Sequence, residues 1–208
     1  MNPFRSFRGL FAPILLLVAL SGFAPQSAGF PGFVGVRPAI LGGGPAATLS
    51  YLIVGGGASG CDTGEGGGNG GNVLFSASSA SPSIGSYTVV VGGAGSPGGN
   101  SSWNGLTATG AATTSCPGGG TSGTNAGTYS ITGVGASYGT AGPDDGFGFN
   151  RLPNTGQGGS TPGADGAAGV VIIRYVTGSQ TWTGCTITTV GPDTVHTCTA
   201  GATLQRTA

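Results

Sequence analysis

Past residue 47 the apolar positions fall into short runs separated by polar, glycine-rich stretches. The runs predict strands over Thr48 to Val54, Asn72 to Ser76, Ser86 to Val91, Thr128 to Thr132, Gly169 to Val176, Cys185 to Thr189 and Thr194 to Thr199. "YTVVV" and "GVVIIRYV" are dense in β-branched and aromatic side chains, which suit the pleated surface of a sheet. "VVIIRY" is apolar without alternation up to Arg174. That is the pattern of a strand covered on both faces, so it is predicted to be central. No window beyond residue 30 combines helix formers with an apolar repeat of about 3.6 residues. The expected fold is all-β, an antiparallel sheet sandwich.

The stretches between the runs change this picture. They include "GGGASGCDTGEGGGNGGN", "GGAGSPGGN", "CPGGGTSGTNAG" and "NTGQGGSTPGADGAAG". Glycine supplies 47 of the 208 residues. Two readings stand open for these segments: flexible loops, or ordered extended strands of polyproline-II type packed closely because no side chain intervenes. A strict G-X-Y repeat is missing, which excludes collagen. Disorder of the whole chain is disfavoured, because the mean hydropathy is +0.21 and the formal net charge is zero.

Charge then narrows the partners. Only 6% of the residues are charged and lysine is absent. Such a chain cannot build the basic surface that a nucleic acid requires.

The first residues read as an export signal. Arg5 and Arg8 precede an apolar run from Leu10 to Leu20, and Ala19-Leu20-Ser21 is the best cleavage-like triplet. The run is short for a membrane helix. The organisation expected is a signal-like segment over 1–21, a lead-in over 22–47, a glycine-rich β domain over 48–176, and a C-terminal hairpin and tail over 177–208. Contact with a membrane is expected only through the N-terminal segment.

Cys61, Cys116, Cys185 and Cys198 fit an oxidising compartment as disulfides. Chain order favours Cys61 with Cys116 and Cys185 with Cys198. The second pair flanks a hairpin whose turn is expected at Gly191-Pro192-Asp193. A three-residue loop there would set Thr186 opposite Cys198, so the bridge would need a shifted register or a bulge. Zinc-ligand spacing is missing.

Several motifs imitate chemistry. Gly55, Gly57 and Gly60 satisfy G-x-G-x-x-G after a strand, but glycine-dense sequence follows where a phosphate-binding helix is needed. No acid stands at the ribose-binding distance, so no nucleotide or other cofactor is expected. Ser137 lies in "GASYG", and Ser137, Asp144 or Asp165, and His196 follow the chain order of a hydrolase triad. No helix can form after Ser137, so no catalytic residue is assigned and the chain is expected not to be an enzyme. Asp62, Glu65 and Asn69, or Asp144 and Asp145, have oxygen donors for calcium, yet turn bonding to their own backbone explains them better, and no metal is assigned. Trp103, Phe147 and Phe149 are candidate surface-contact residues.

The order "YLIVGGG" (51–57), "YTVVVGGAG" (87–95), "GGNSSWNGLTATG" (98–110) and "GAAGVVIIRY" (166–175) resembles the glycine-rich domain of phage tail-fibre-like proteins and of bacterial secreted or surface proteins. In that domain a valine-rich strand enters a glycine run, and a "GVVIIRY" strand closes it. Trp103 stands where an aromatic is usual. The resemblance covers Thr48 to Val176. The tail "TITTVGPDTVHTCTAGATLQ" is similar to a hairpin, "YTVHTFTSSGTF", that commonly precedes the domain; here it follows, and Cys198 replaces the phenylalanine. The resemblance implies a structural or attachment role and supplies no catalytic residues.

The expected function is therefore a non-enzymatic extracellular structural or surface-attachment protein, secreted or held at the cell surface. Self-association and a cell-surface glycan are the partners considered. A phage virion or tail-fibre component is the first alternative. Ice or polysaccharide binding through Thr/Ser surfaces such as "LTATGAATTS" is the second.

Overall fold

The computed structural model describes residues 47–62, 66–116, 118–144 and 151–208. The signal-like segment and most of the lead-in lie outside them, as do Phe147 and Phe149. Among the described residues there is no helix, and every strand pairing is antiparallel.

Five strands make the first sheet: β1 (Thr48–Val54), β2 (Val73–Ala80), β8 (Val170–Val176), β10 (Thr186–Val190) and β11 (Asp193–Cys198). Their order is β10-β11-β8-β1-β2. The run "VVIIRY" is thus the middle strand, with β11 and β1 bonded on either side. The second sheet joins β3 (Gly85–Val90), β4 (Ser101–Trp103), β5 (Leu106–Ala108), β9 (Trp182–Thr183) and β12 (Ala202–Arg206) in the order β5-β4-β3-β12-β9. A separate hairpin pairs β6 (Gly127–Tyr129) with β7 (Ala136–Tyr138). The C-terminal residues are woven into this framework: β11 extends the first sheet and β12 sits between β3 and β9 in the second.

One face of the first sheet shares a core with the second sheet. Ile53, Val171, Ile173 and Tyr175 meet Val89, Trp103, Trp182 and Leu204 there. On the opposite face Leu52, Val54, Val170, Ile172 and Val195 pack under Ile131 and Tyr138 from the β6–β7 hairpin and the turn within it. Both faces of β8 are therefore covered, which is why its sequence shows no alternation. Each fully buried aliphatic side chain stabilises the fold by about 1.5–3 kcal/mol.

The glycine-rich segments are hydrogen-bonded to one another. Gly55, Ala58 and Cys61 donate to Asn72, Asn69 and Gly66; Gly56 and Ser59 donate to Gly99 and Gly95; Gly57 and Gly60 donate to Ala167 and Ala164. Successive residues thus address three different neighbours in rotation, and each neighbour is met again at the third residue. The packing leaves no room for side chains. A Cβ added to Gly57 would stand 2.0 Å from the Gln157 carbonyl oxygen, and one on Gly68 would stand 2.1 Å from that of Ala58. In "GGGNGGN" the two asparagines are three apart and serve the same neighbours. Asn69 donates to Ala112 and Thr113 and accepts from Thr121, while Asn72 bonds Thr109 and accepts from the Thr124 amide.

Candidate binding cleft

The hairpin of β6 and β7 covers only part of its face of the first sheet. Beyond Ile131 that face opens into a cleft of about 390 Å³ lined by Ser50, Phe75, Ala77, Ser130, Ile131, Arg174 and Asp193. A second lobe of about 180 Å³ shares Ser50, Ala77, Arg174 and Asp193 and runs on toward Thr48 and Val176.

Strand register places these side chains. Ser50 of β1 lies opposite Arg174 of β8, and Phe75 of β2 lies opposite Leu52 of β1. Arg174 sits opposite Val195 of β11, whose first residue is Asp193. An arginine in a strand covered on both faces needs a partner for its charge. Arg174 finds it in Asp193: Nη2 stands 2.7 Å from Oδ2, and Nε donates to the same oxygen at 2.8 Å. Nη1 donates to the carbonyls of Ser130 and Ile131, tying the hairpin turn to the sheet. The two side chains are only partly exposed, at 26% and 17%. Phe75 stands at the rim, 43% exposed. Its ring is backed by Tyr129, with centroids 4.9 Å apart.

The cysteines pair as chain order suggested, Cys61 with Cys116 and Cys185 with Cys198. Two disulfides are compatible with an extracellular protein. The register expected for the hairpin of β10 and β11 is corrected. Val190 pairs with Asp193 and Thr186 with Thr197, which brings Cys185 opposite Cys198. The loop has two residues, Gly191 and Pro192, and Gly191 takes φ +58. Glycine at the first central position followed by proline suits a type II′ turn, whose twist matches the strands.

Trp103 is corrected too. It is 2% exposed and is no surface contact. β4 turns it into the space between the sheets, where it meets the rings of Tyr51 at 6.1 Å and Trp182 at 6.0 Å. Phe147 and Phe149 lie outside the described residues, as do Glu65 and Asp145.

The glycines that imitate a nucleotide loop face backbone. A Cβ on Gly55 would meet the Thr109 carbonyl oxygen at 2.2 Å, and one on Gly60 that of Ser160 at 2.3 Å. Among the described residues no three His, Cys, Asp or Glu side chains gather as metal ligands. Asp144 accepts from the Gly66 amide and Asp165 from the Ser59 hydroxyl. Ser137 is the exposed residue of β7, its hydroxyl within 3.2 Å of that of Thr128.

His196 is fully buried. Its Nδ1–H donates to the Gly184 carbonyl at 2.8 Å, which leaves Nε2 to accept from the Tyr175 hydroxyl at 3.1 Å. Both nitrogens are spent on the fold. Burial pushes its pKa below the ordinary 6.5, opposed by the bond to Gly184. The unfolded chain therefore binds a proton more readily than the folded one. His196's contribution to stability is whole above about pH 6.5 and is lost as pH falls toward the depressed folded value. The chain has one histidine, so this is the only side chain that ordinarily titrates in that window. The melting temperature is expected to fall between pH 7 and pH 5, and His196→Gln is expected to flatten that slope; an equal slope in the variant would remove His196 as the cause.

No protein-family model matches the chain, and neither does any curated protein or solved structure. The cleft was not foreseen from sequence. The one signal was Arg174 interrupting "VVIIRYV", because a charge inside a central strand announces a buried partner. In sequence Asp193 stands as a turn residue, and its partnership depends on register.

Proposed function

We propose that this chain is a non-enzymatic extracellular structural or surface-attachment protein, built as an antiparallel sheet sandwich that carries a bundle of polyproline-II-like glycine segments. The observation behind this reading is the three-residue rotation of hydrogen bonds from Gly55 to Cys61. Three residues per turn is the repeat of polyproline II, and Gly55, Gly56, Gly57 and Gly60 let neighbouring backbones approach where a Cβ would collide. Such a bundle is dense in backbone hydrogen bonds. It gives a stiff support on which loops can be presented, and the disulfides suit it to an oxidising exterior. The glycine-rich domain of tail-fibre-like and bacterial surface proteins, which the motif order resembles, agrees with that use.

Sequencing the N-terminus of the protein isolated from its native source tests the reading. A chain beginning near Gly22 and recovered from the envelope or medium is expected. An intact Met1 in purified virus particles would move the protein to the virion, and recovery from the cytosol with free thiols would end the extracellular assignment.

A further inference from the structure

We propose that the cleft over the Arg174–Asp193 pair binds a neutral polysaccharide, one sugar ring resting on Phe75 and its neighbour over the ion pair. The inference rests on the attachment reading and names the ligand class through which attachment would act.

Phe75 is a large apolar side chain, 43% exposed at the edge of a cavity, and Tyr129 fixes its ring from behind at 4.9 Å. A fixed, half-exposed ring offers an apolar platform at little entropic cost, and a pyranose presents a matching apolar face of C–H groups. The ion pair supplies the polar half. Arg174 spends Nε and one Nη2 hydrogen on Asp193 Oδ2, and Nη1 on the two carbonyls. Arg174 keeps a second Nη2 hydrogen, which the planar guanidinium directs away from the carboxylate, and Asp193 keeps the Oδ1 lone pairs, so the pair offers both a donor and an acceptor to the cleft. A donor and an acceptor in one cleft suit sugar hydroxyls, each of which can give and take a hydrogen bond. Ser50 donates to the Ala77 carbonyl and so retains its acceptor lone pairs in the same cleft.

Charge selects a neutral ligand. Arg174 and Asp193 cancel, so an acidic sugar gains no net attraction and meets the carboxylate. The two connected lobes leave room for a polymer to pass. The cavity of about 390 Å³ falls within the usual range for small-molecule sites, about 300–1,000 Å³. It continues into the lobe of about 180 Å³, so a chain can enter at Phe75 and leave toward Val176.

Affinity electrophoresis of the full chain, in native gels containing dextran, mannan or laminarin, with alginate as the acidic arm, tests this. Retardation by at least one of the three neutral polymers is expected, with none by alginate beyond its charge effect on a control protein. Phe75→Ala is expected to weaken binding at least tenfold. Ala77→Trp, which fills the cleft from the β2 side, is expected to do the same, so a folding defect in one variant does not hide the answer. Near-UV circular dichroism confirms that each variant is folded. Absence of retardation by all three neutral polymers would overturn the proposal. So would undiminished binding by whichever variants are folded, or specific retardation by alginate alone. The gels are independent of N-terminal processing, so the attachment reading and the cleft can fail separately.

Discussion

Gly57→Ala is expected to destabilise the protein by more than about 3 kcal/mol, the upper end of the usual cost of overpacking a core with a methyl-sized group. The added Cβ would lie 2.0 Å from the Gln157 carbonyl oxygen and 2.9 Å from that of Gly156. A side chain in that position could swing away, but backbone cannot. Gly156 donates to Ala168, Gly71 donates to Gly156, and Ala167 donates to Gln157, so moving this segment breaks bonds to two further segments. At about 2–4 °C per kcal/mol for a chain of this size, the melting temperature should drop by at least about 6 °C.

Gly93→Ala is the matched control. A Cβ there meets nothing within 4 Å, and Gly93 is exposed with no left-handed φ. The substitution removes unfolded-state freedom and is expected to leave stability unchanged or raise it by about 0.4–1 kcal/mol. Thermal melts of both variants decide the matter. Equal, small effects would mean that the glycine segments do not pack backbone against backbone, and the attachment reading would lose its main support.

The contrast between these glycines marks the limit of what the sequence can say. Both stand in glycine runs, and nothing local separates them; the difference is that Gly57 faces a distant carbonyl and Gly93 faces open space. The long strands were readable because their signal is local. "TLSYLIV" forms β1 over the predicted residues, and "VVIIRYV" forms the central β8. Strands of two or three residues, such as β4, β5, β7 and β9, carry too few positions for any periodicity. One of them did have a local signal. In "WNGL", Asn104 and Gly105 take φ 50 and φ 75 and join β4 to β5. Asn-Gly between paired residues is the strongest short hairpin signal. The cleft was hidden for a further reason. Phe75, Arg174 and Asp193 come from β2, β8 and β11, and only the pairing order of the first sheet brings them to one face.

Removing the Cys61–Cys116 disulfide should have the second large effect. The bridge closes a stretch of 55 residues, and the chain-entropy estimate for such a loop is about 4 kcal/mol. The Cys185–Cys198 bridge closes only 13, for which the same relation gives about 3 kcal/mol. The difference in consequence should exceed the difference in energy, because the two staples hold different things. Cys185–Cys198 joins residues already flanking a paired hairpin. Cys61 ends the segment that begins at Gly55 and donates to three neighbours; its own amide donates to Gly66 and its carbonyl accepts from Gly163. Cys116 ties that end to the stretch carrying Thr109 to Thr114, which Asn69 and Asn72 also clasp. Glycine loses more backbone freedom on ordering than any other residue, and these segments bury few apolar side chains to offset it. The glycine bundle is therefore the part of the fold most dependent on a covalent tie. In the variant with both Cys61 and Cys116 changed to serine, amide hydrogen exchange should quicken first at Gly66–Asn72 and Thr109–Thr114. The amides of β1 and β8 should stay protected until global unfolding, because their order comes from the shared cores of the sheets. Unchanged exchange in the glycine segments would show that backbone hydrogen bonds alone hold the bundle. Simultaneous loss of protection in the sheets and the segments would show that the two fold as one cooperative unit, with no separable weak point at the glycines.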